Sequence, residues 1–154
     1  MNRTVLVTGA TRGIGRELVK QLTALDFSVF ATGRDPALLE SLKEETGCQG
    51  TVADLRVPEQ AVEIYRTAQE VLGQIDVLIN NAGFGLFGKF SNTNWERESQ
   101  MLQLHVYTTT YLTKLFLKQM QKRGSGKILN VSSLAAFQPG PLMSLYYASK
   151  AYIL

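Results

Sequence analysis

The sequence of 154 residues has a single cysteine, Cys48, and no apolar run that approaches the length of a membrane-spanning helix. One cysteine excludes an internal disulfide framework and is typical of a reducing compartment. The first residues also lack the apolar segment of a secretory signal peptide. We therefore expect a cytoplasmic protein that does not insert into a membrane.

The sequence also has little excess of either charge. It contains 16 lysines and arginines and 13 aspartates and glutamates, which gives a net charge of +3. The basic concentration in the chain lies where a long helix is predicted to end, and it consists of Lys118, Lys122, Arg123 and Lys127. Cations at a helix C-terminus complement the helix dipole. We expect no nucleic-acid partner and no metal site.

What the chain does have is a regular alternation of strand and helix patterns. Apolar and β-branched runs predict five strands, at residues 4–7, 28–31, 49–53, 75–79 and 126–131. Helical spacing predicts a helix after the first strand and further helices at about 36–45, 58–72, 93–123 and from 143. This alternation predicts one α/β domain over residues 1–154, with a doubly wound, Rossmann-like parallel sheet in the strand order 3-2-1-4-5.

A glycine-rich loop, residues 8–15 (TGATRGIG), joins the first strand to the first helix. Glycines let a ligand lie directly on the backbone, and the N–H groups and dipole of a helix start attract an anion. The spacing G-x-x-x-G-x-G differs from the common dinucleotide fingerprint. The loop predicts a phosphate site, in a dinucleotide-binding domain or in another nucleotide-binding α/β domain. Its candidate residues are Gly9, Thr11, Arg12, Gly13, Ile14 and Gly15.

The end of the second strand indicates which dinucleotide binds. An acidic residue there bonds the ribose hydroxyls of NAD, whereas an arginine accommodates the 2′-phosphate of NADP. Gly33 stands at the acidic position and Arg34 follows it, with Arg12 as a second cation. Asp35 comes next, and a solvated loop charge is the alternative role for Arg34. We predict NADP as the cofactor, with NADPH bound in preference to NADH.

Polar residues also follow the third and fourth strands. Asp54, with Leu55 beside it, either accepts a bond from an adenine amino group or caps the following turn. The segment 80–83 (NNAG) is predicted to line the cofactor through Asn80, Ala82 and Gly83, while an asparagine side chain ties neighbouring strands together. Since the carboxyl ends of parallel strands meet at one edge, we expect all these loops to converge on one crevice.

Tyr146 and Lys150 lie one helical turn apart, and Ser133 follows the fifth strand. An unperturbed phenol has a pKa of about 10 and exchanges protons poorly near neutrality. A nearby lysine ammonium lowers that pKa, so that Tyr146 can serve as general acid or base on a carbonyl or alcohol. Ser133 can hold the substrate oxygen. Taken alone, Y-x-x-x-K is too common by chance to identify an enzyme.

Four motifs occur in order: T-G-x-x-x-G-I-G, N-N-A-G, the serine after the fifth strand, and Y-x-x-x-K. Together they resemble the short-chain dehydrogenases/reductases of the classical type, over the whole chain. The resemblance implies an NAD(P)-dependent oxidoreductase in which Ser133 positions the substrate, Tyr146 is the catalytic acid/base, and Lys150 binds the cofactor ribose. It also implies a homo-oligomer. The alternative is a non-catalytic NADP-binding sensor or scaffold.

One residue departs from the family pattern. The family usually has an asparagine in the middle of the long helix, where it supports a water of the proton relay, and this sequence has His105 there. Two interpretations stay open. His105 is either a catalytic relay group that replaces the asparagine, or a packed helix residue that bonds water or a carbonyl.

The sequence further predicts that residues 1–154 are either the N-terminal part of a longer protein or a fragment that needs a partner. A doubly wound dinucleotide fold has two halves of about three strands each, whereas five strands are predicted and the chain stops at Leu154. An apolar wall of the substrate pocket is predicted from Phe84, Leu86, Phe87 and Phe137. Either an oligomer surface or the subunit core is predicted for Tyr107, Tyr111, Leu115 and Met120.

Overall fold

The computed structural model describes residues 3–154, in which five parallel strands form one sheet. The strands are β1 (Thr4–Thr8), β2 (Ser28–Gly33), β3 (Gln49–Val52), β4 (Val77–Asn80) and β5 (Lys127–Asn130). Their order is β3-β2-β1-β4-β5, and each adjacent pair is parallel. The predicted doubly wound order is therefore confirmed, including its reversal between β1 and β4.

Six α-helices lie in the described part of the chain: α1 (Gly13–Ala24), α2 (Pro36–Thr46), α3 (Pro58–Leu72), α4 (Trp95–Leu102), α5 (Thr109–Arg123) and α6 (Ser144–Ile153). None of them is long and apolar enough to cross a membrane. Local chemistry sets their ends. The carboxylate of Asp35 accepts the N–H of Leu38 at 3.1 Å and starts α2, and Gly47 ends it in the left-handed conformation, at φ 71°.

The helix predicted at 93–123 is present, but it is not a single α-helix. Between α4 and α5, Gln103–Thr108 form a π-helical segment. Such segments are rare and are frequent at functional sites. The apolar spacing does not distinguish the π-helical segment from an α-helix, so the pattern predicts one continuous helix.

Side chains alternate along the central strands and build a separate apolar layer on each face of the sheet. One layer joins β1 to α1 and α2 and includes Val5, Val7, Val19, Leu39 and Leu42. The other joins β1 and β4 to α3 and α5 and includes Leu6, Leu78, Ile64, Leu112 and Phe116. The strands are thus fixed from both sides, and their carboxyl ends stay at one edge.

The four residues considered for an oligomer surface have different environments. Met120 lies in the core, Tyr111 packs against it, and Leu115 is half-buried. Tyr107 is exposed. Burial within the subunit therefore accounts for Met120, and Tyr107 stays a candidate for an oligomer surface.

Candidate active site

The carboxyl ends of β1 to β4 border a crevice of about 490 Å³, where the strand order reverses. Eight predicted cofactor-binding residues line it: Gly9, Thr11, Arg12, Arg34, Asp54, Leu55, Ala82 and Gly83. Ligands of open α/β sheets bind at this position in the fold. The structure therefore brings the loops after four strands to one site.

The glycine loop ends in the first turn of α1, which contains Gly13, Ile14 and Gly15. Within residues 3–154, no side chain caps this helix start, and its first turn has no acidic residue. By contrast, α2 and α4 are capped by Asp35 and Asn94. The first N–H groups of α1 are therefore available to an anionic ligand.

Asn81 fixes the glycine loop to the end of β4. Its side-chain amide donates to the carbonyls of Thr8, at 3.1 Å, and Gly9, at 3.0 Å. The Thr8 hydroxyl in turn accepts the N–H groups of Asn81, at 3.0 Å, and Ala82, at 3.1 Å. These four bonds hold two crevice-lining loops in one arrangement.

Asn80 is buried and does not appear among the residues that line the crevice. Its Nδ2 donates to Asn130 Oδ1 on β5, at 2.8 Å, and to Thr113 Oγ1 on α5, at 3.1 Å. The side chain of Asn80 thus ties β4 to its neighbours, the role expected for one asparagine of this segment.

Two arginines and an aspartate lie at the end of β2. Arg12 Nη2 donates to Asp35 Oδ2 at 2.9 Å, while the other oxygen of Asp35 accepts from Leu38. The bond from Leu38, followed by the Arg12 guanidinium, lowers the pKa of Asp35. Both oxygens of Asp35 are engaged, whereas Arg34 is exposed at the crevice.

Asp54 is held by Arg56, which the sequence analysis does not single out. Asp54 Oδ1 accepts the backbone N–H of Arg56 at 3.0 Å, and Arg56 Nε donates to Oδ1 and Oδ2 at 2.9 and 3.0 Å. These bonds from Arg56 lower the pKa of Asp54. Arg56 also donates to Gln100 Oε1 on α4 at 2.7 Å. The turn-capping contact of Asp54 is present, and its adenine contact stays a prediction.

Tyr146 and Lys150 lie one turn apart on α6, beside the loop that follows β4. Lys150 is 5% exposed, and its Nζ donates to the Val131 carbonyl at 3.1 Å. The same Nζ lies 5.9 Å from the centre of the Tyr146 ring. Burial lowers the pKa of Lys150. A Cβ on Gly83 would lie 3.4 Å from Lys150 Nζ, so Gly83 connects the crevice to the lysine.

Ser133 precedes a short 3₁₀ turn, Leu134–Phe137, and its Oγ accepts the N–H of Ala135 at 3.1 Å. This turn packs against α6, the helix that carries Tyr146 and Lys150. The three predicted catalytic side chains are thus carried by neighbouring elements.

The predicted apolar wall is not brought together. Phe84 lines the crevice, Leu86 lies in a separate small cleft, and Phe137 borders an apolar groove with Tyr147. Phe87 and Phe137 are exposed. Only Phe84 of these four therefore lines the crevice itself.

His105 is completely buried between α6 and the loop that follows β4. Its Nε2 accepts the N–H of Phe84 at 3.1 Å, and its Nδ1 lies 2.9 Å from Ser149 Oγ. Burial, and then the charge of Lys150, lower the pKa of His105 to about 4. The ring is therefore neutral near pH 7.

The family model described as short chain dehydrogenase matches residues 3–154. The chain belongs to the short chain dehydrogenase family. The family predicted from the four sequence motifs is thereby confirmed.

Relatives of known sequence or structure agree with that assignment. An uncharacterized oxidoreductase of Schizosaccharomyces pombe is 36% identical, over 96% of this chain and 50% of its own length. The ketoacyl reductase HetN of a Nostoc species is 34% identical, over 97% of this chain and 54% of its own length. A metagenomic short-chain oxidoreductase solved with NADP superimposes with a TM-score of 0.91 at 28% identity, over 96% of this chain and 70% of its own. The chain thus spans about half the length of these two curated relatives.

The crevice also has lining residues that the sequence motifs do not indicate. They are Thr32, Pro36, Ala53, Arg56 and Leu104. Thr32 and Ala53 adjoin predicted site residues at strand ends, so extending each candidate segment by one residue would have found them. Leu104 lies on the π-helical segment, and the apolar spacing carries no signal for its position.

His105 gives the protein a specific pH dependence of stability. The pKa falls from an ordinary 6.5 to about 4 on folding, so the unfolded chain binds a proton that the folded chain excludes. The associated stability is complete well above pH 6.5 and is lost as the pH falls from 6.5 towards 4. We expect the free energy of unfolding to fall by about 2 kcal/mol between pH 7 and pH 5.

Urea unfolding at both pH values measures this change. The chain has one histidine, so no other imidazole contributes in that interval. The control is His105→Asn, in which the decrease should largely disappear. An equal decrease in both proteins would contradict the assignment to His105.

Proposed function

We propose that the protein transfers a hydride between NADP(H) and a carbonyl or alcohol substrate. The observation that carries this proposal is the position of Gly83. It lines the crevice, and a Cβ on it would lie 3.4 Å from the buried ammonium of Lys150, one turn from Tyr146. The dinucleotide-binding end of the crevice and the proposed acid/base are therefore joined by a single loop.

The residues of the crevice fit a dinucleotide. The open start of α1 offers N–H groups to a pyrophosphate, in a loop where the close contacts of Gly15 leave no room for a side chain. Ala82 and Gly83 line the continuation of the crevice toward Lys150. When bound there, the nicotinamide supplies or accepts the hydride.

Tyr146 is proposed to move the proton. A phenol hydroxyl can serve as general acid or base when it is positioned beside the reacting oxygen. The Lys150 ammonium, held by the Val131 carbonyl, lies 5.9 Å from the centre of the Tyr146 ring and is proposed to assist the transfer. Ser133 is proposed to orient the substrate oxygen toward Tyr146. A lysine in this position can also bond the ribose of the cofactor.

The preference for NADP(H) is proposed from the charges at the end of β2. Asp35 has one oxygen on the Leu38 amide and the other on Arg12, so its carboxylate already serves as a helix cap and an ion-pair partner. Arg34 is exposed at the crevice and presents a cation to a 2′-phosphate. The solved relative that contains NADP supports this choice.

Arg34→Ala is expected to weaken NADPH binding about ten- to a hundredfold, with little effect on NADH. The reason is the loss of one bond to a charged phosphate group. Titration of both cofactors, followed by nicotinamide fluorescence, measures the two dissociation constants. Arg66→Ala is the matched control, since Arg66 is an exposed arginine on α3 away from the crevice. Tighter binding of NADH than of NADPH by the unsubstituted protein would contradict the proposed preference for NADPH.

A turnover assay distinguishes the proposed enzyme from a non-catalytic cofactor-binding module. The natural chain that carries this sequence should oxidise NADPH in the presence of at least one class in a panel of aldehydes and ketones. Tight cofactor binding without turnover across the panel would favour a sensor or scaffold. The partners proposed are a small carbonyl or alcohol and further copies of the same chain.

A further inference from the structure

The contacts of His105 assign its tautomer. A backbone amide donates and does not accept, so the bond from Phe84 requires a lone pair on His105 Nε2. The ring is neutral near pH 7, and its proton is therefore on Nδ1. That proton is donated to Ser149 Oγ at 2.9 Å, and the Ser149 hydroxyl donates in turn to the Tyr146 carbonyl at 3.0 Å. Each donor in this series of three hydrogen bonds therefore has an acceptor.

The ring joins two parts of the site. Phe84 belongs to the loop that follows β4, while Ser149 lies on α6, between Tyr146 and Lys150. The ring centres of His105 and Tyr146 are 6.0 Å apart. His105 itself comes from the π-helical segment. One imidazole thus sets the distance between the crevice loop and the helix that carries the proposed acid/base.

We propose that His105 is a positioning residue that fixes Tyr146 and Lys150 against the crevice loop and takes no part in proton transfer. This inference rests on the proposed function. It decides between the two interpretations that the sequence leaves open for His105.

A relay through the ring would require Nε2 to receive a proton. That proton would face the Phe84 N–H, which cannot turn into an acceptor. It would also create a cation beside Lys150, the charged group that faces the ring from α6. A Cβ on Gly83 would lie only 2.9 Å from Nε2, so the completely buried ring packs closely against the loop. Both nitrogens are therefore committed to structural bonds.

The decisive measurement labels the natural chain with ¹⁵N-histidine, so that the two nitrogens of each imidazole report protonation separately. The signals that are absent from His105→Asn are assigned to His105. We expect a proton on Nδ1, none on Nε2, and no titration between pH 6 and pH 9. A proton on Nε2, or titration inside that range, would overturn the proposal.

Substitutions of His105 in the natural chain distinguish a positioning role from a relay role through kcat and its pH dependence. His105→Leu removes both bonds and should lower kcat by at least about tenfold, the effect expected from the loss of even one buried hydrogen bond. Positioning predicts that the pH dependence of kcat keeps its shape in this variant. His105→Asn, whose amide can still donate to Ser149, should recover most of the loss. Loss of one limb of the pH profile in both variants would identify a relay and overturn the proposal.

Ser149→Ala keeps the proposal testable if His105→Leu does not fold. Ser149 is completely buried, and its hydroxyl is the acceptor of the Nδ1 proton. We expect a smaller loss of kcat than in His105→Leu, again with an unchanged pH profile. A kcat equal to that of the unsubstituted protein would contradict positioning through Ser149. Absence of turnover in the unsubstituted chain would refute the proposed function, while the nuclear magnetic resonance result would still decide the tautomer.

Discussion

Replacing Tyr146 by phenylalanine is expected to lower kcat by about 10²- to 10⁴-fold, the usual contribution of a positioned general acid or base. The ring would stay in place, because phenylalanine preserves its packing beside Gly85 and His105. The proton-carrying hydroxyl would be lost. The dissociation constant for NADPH should change little, since the cofactor is proposed to bind mainly through the glycine loop and the end of β2.

Single-turnover and steady-state oxidation of NADPH by the natural chain measure this effect. Tyr147→Phe is the matched control, because it removes the same hydroxyl from the adjacent residue. Tyr147 borders the apolar groove and packs against Gly140, away from the crevice. The control should retain near-normal kcat. Comparable activity in Tyr146→Phe and Tyr147→Phe would show that the proton is transferred by another group.

Local patterns predicted most of the architecture because each element carries its own periodicity and end signals. The bounds of α3 follow from its apolar stripe and from Pro58 at its first turn. β4 shows the limit. The apolar run suggests a start at residue 75, but Ile75, which is buried in the core, and Asp76 precede the strand. A buried apolar side chain does not by itself indicate strand pairing.

The missed parts of the site depend on contacts between distant segments. The Arg56 side chain, which engages Asp54 and reaches Gln100, follows from the packing of α4 near the end of β3. Likewise, the sequence places two asparagines side by side but cannot distinguish their roles. Asn80 bonds toward β5, and Asn81 bonds toward the glycine loop, because strand alternation turns their side chains in different directions.

The same dependence on distant contacts gives Gly15→Ala a large expected effect on both stability and cofactor binding. A Cβ at residue 15 would lie 2.2 Å from the Gly9 carbonyl oxygen and 2.5 Å from Asn81 Nδ2. These two atoms form the bond that joins the glycine loop to the end of β4. The first clash is with backbone, so rotation of a side chain cannot relieve it. The loop must shift, and the Asn81 bonds are broken or stretched.

We expect Gly15→Ala to lower the free energy of unfolding by about 3 kcal/mol or more, from the combined cost of overpacking and of a lost buried hydrogen bond. NADPH affinity should fall at least about a hundredfold, because the anion-binding N–H groups of α1 move with the loop.

Urea unfolding and cofactor titration measure both effects. Gly47→Ala is the control, because a Cβ there meets open space and only its φ of 71° disfavours alanine. That control should lose about 1 kcal/mol and keep its cofactor affinity. Equal stability of the two variants would mean that Gly15 is not needed for close approach. Normal NADPH binding by Gly15→Ala would place the phosphate site away from this loop.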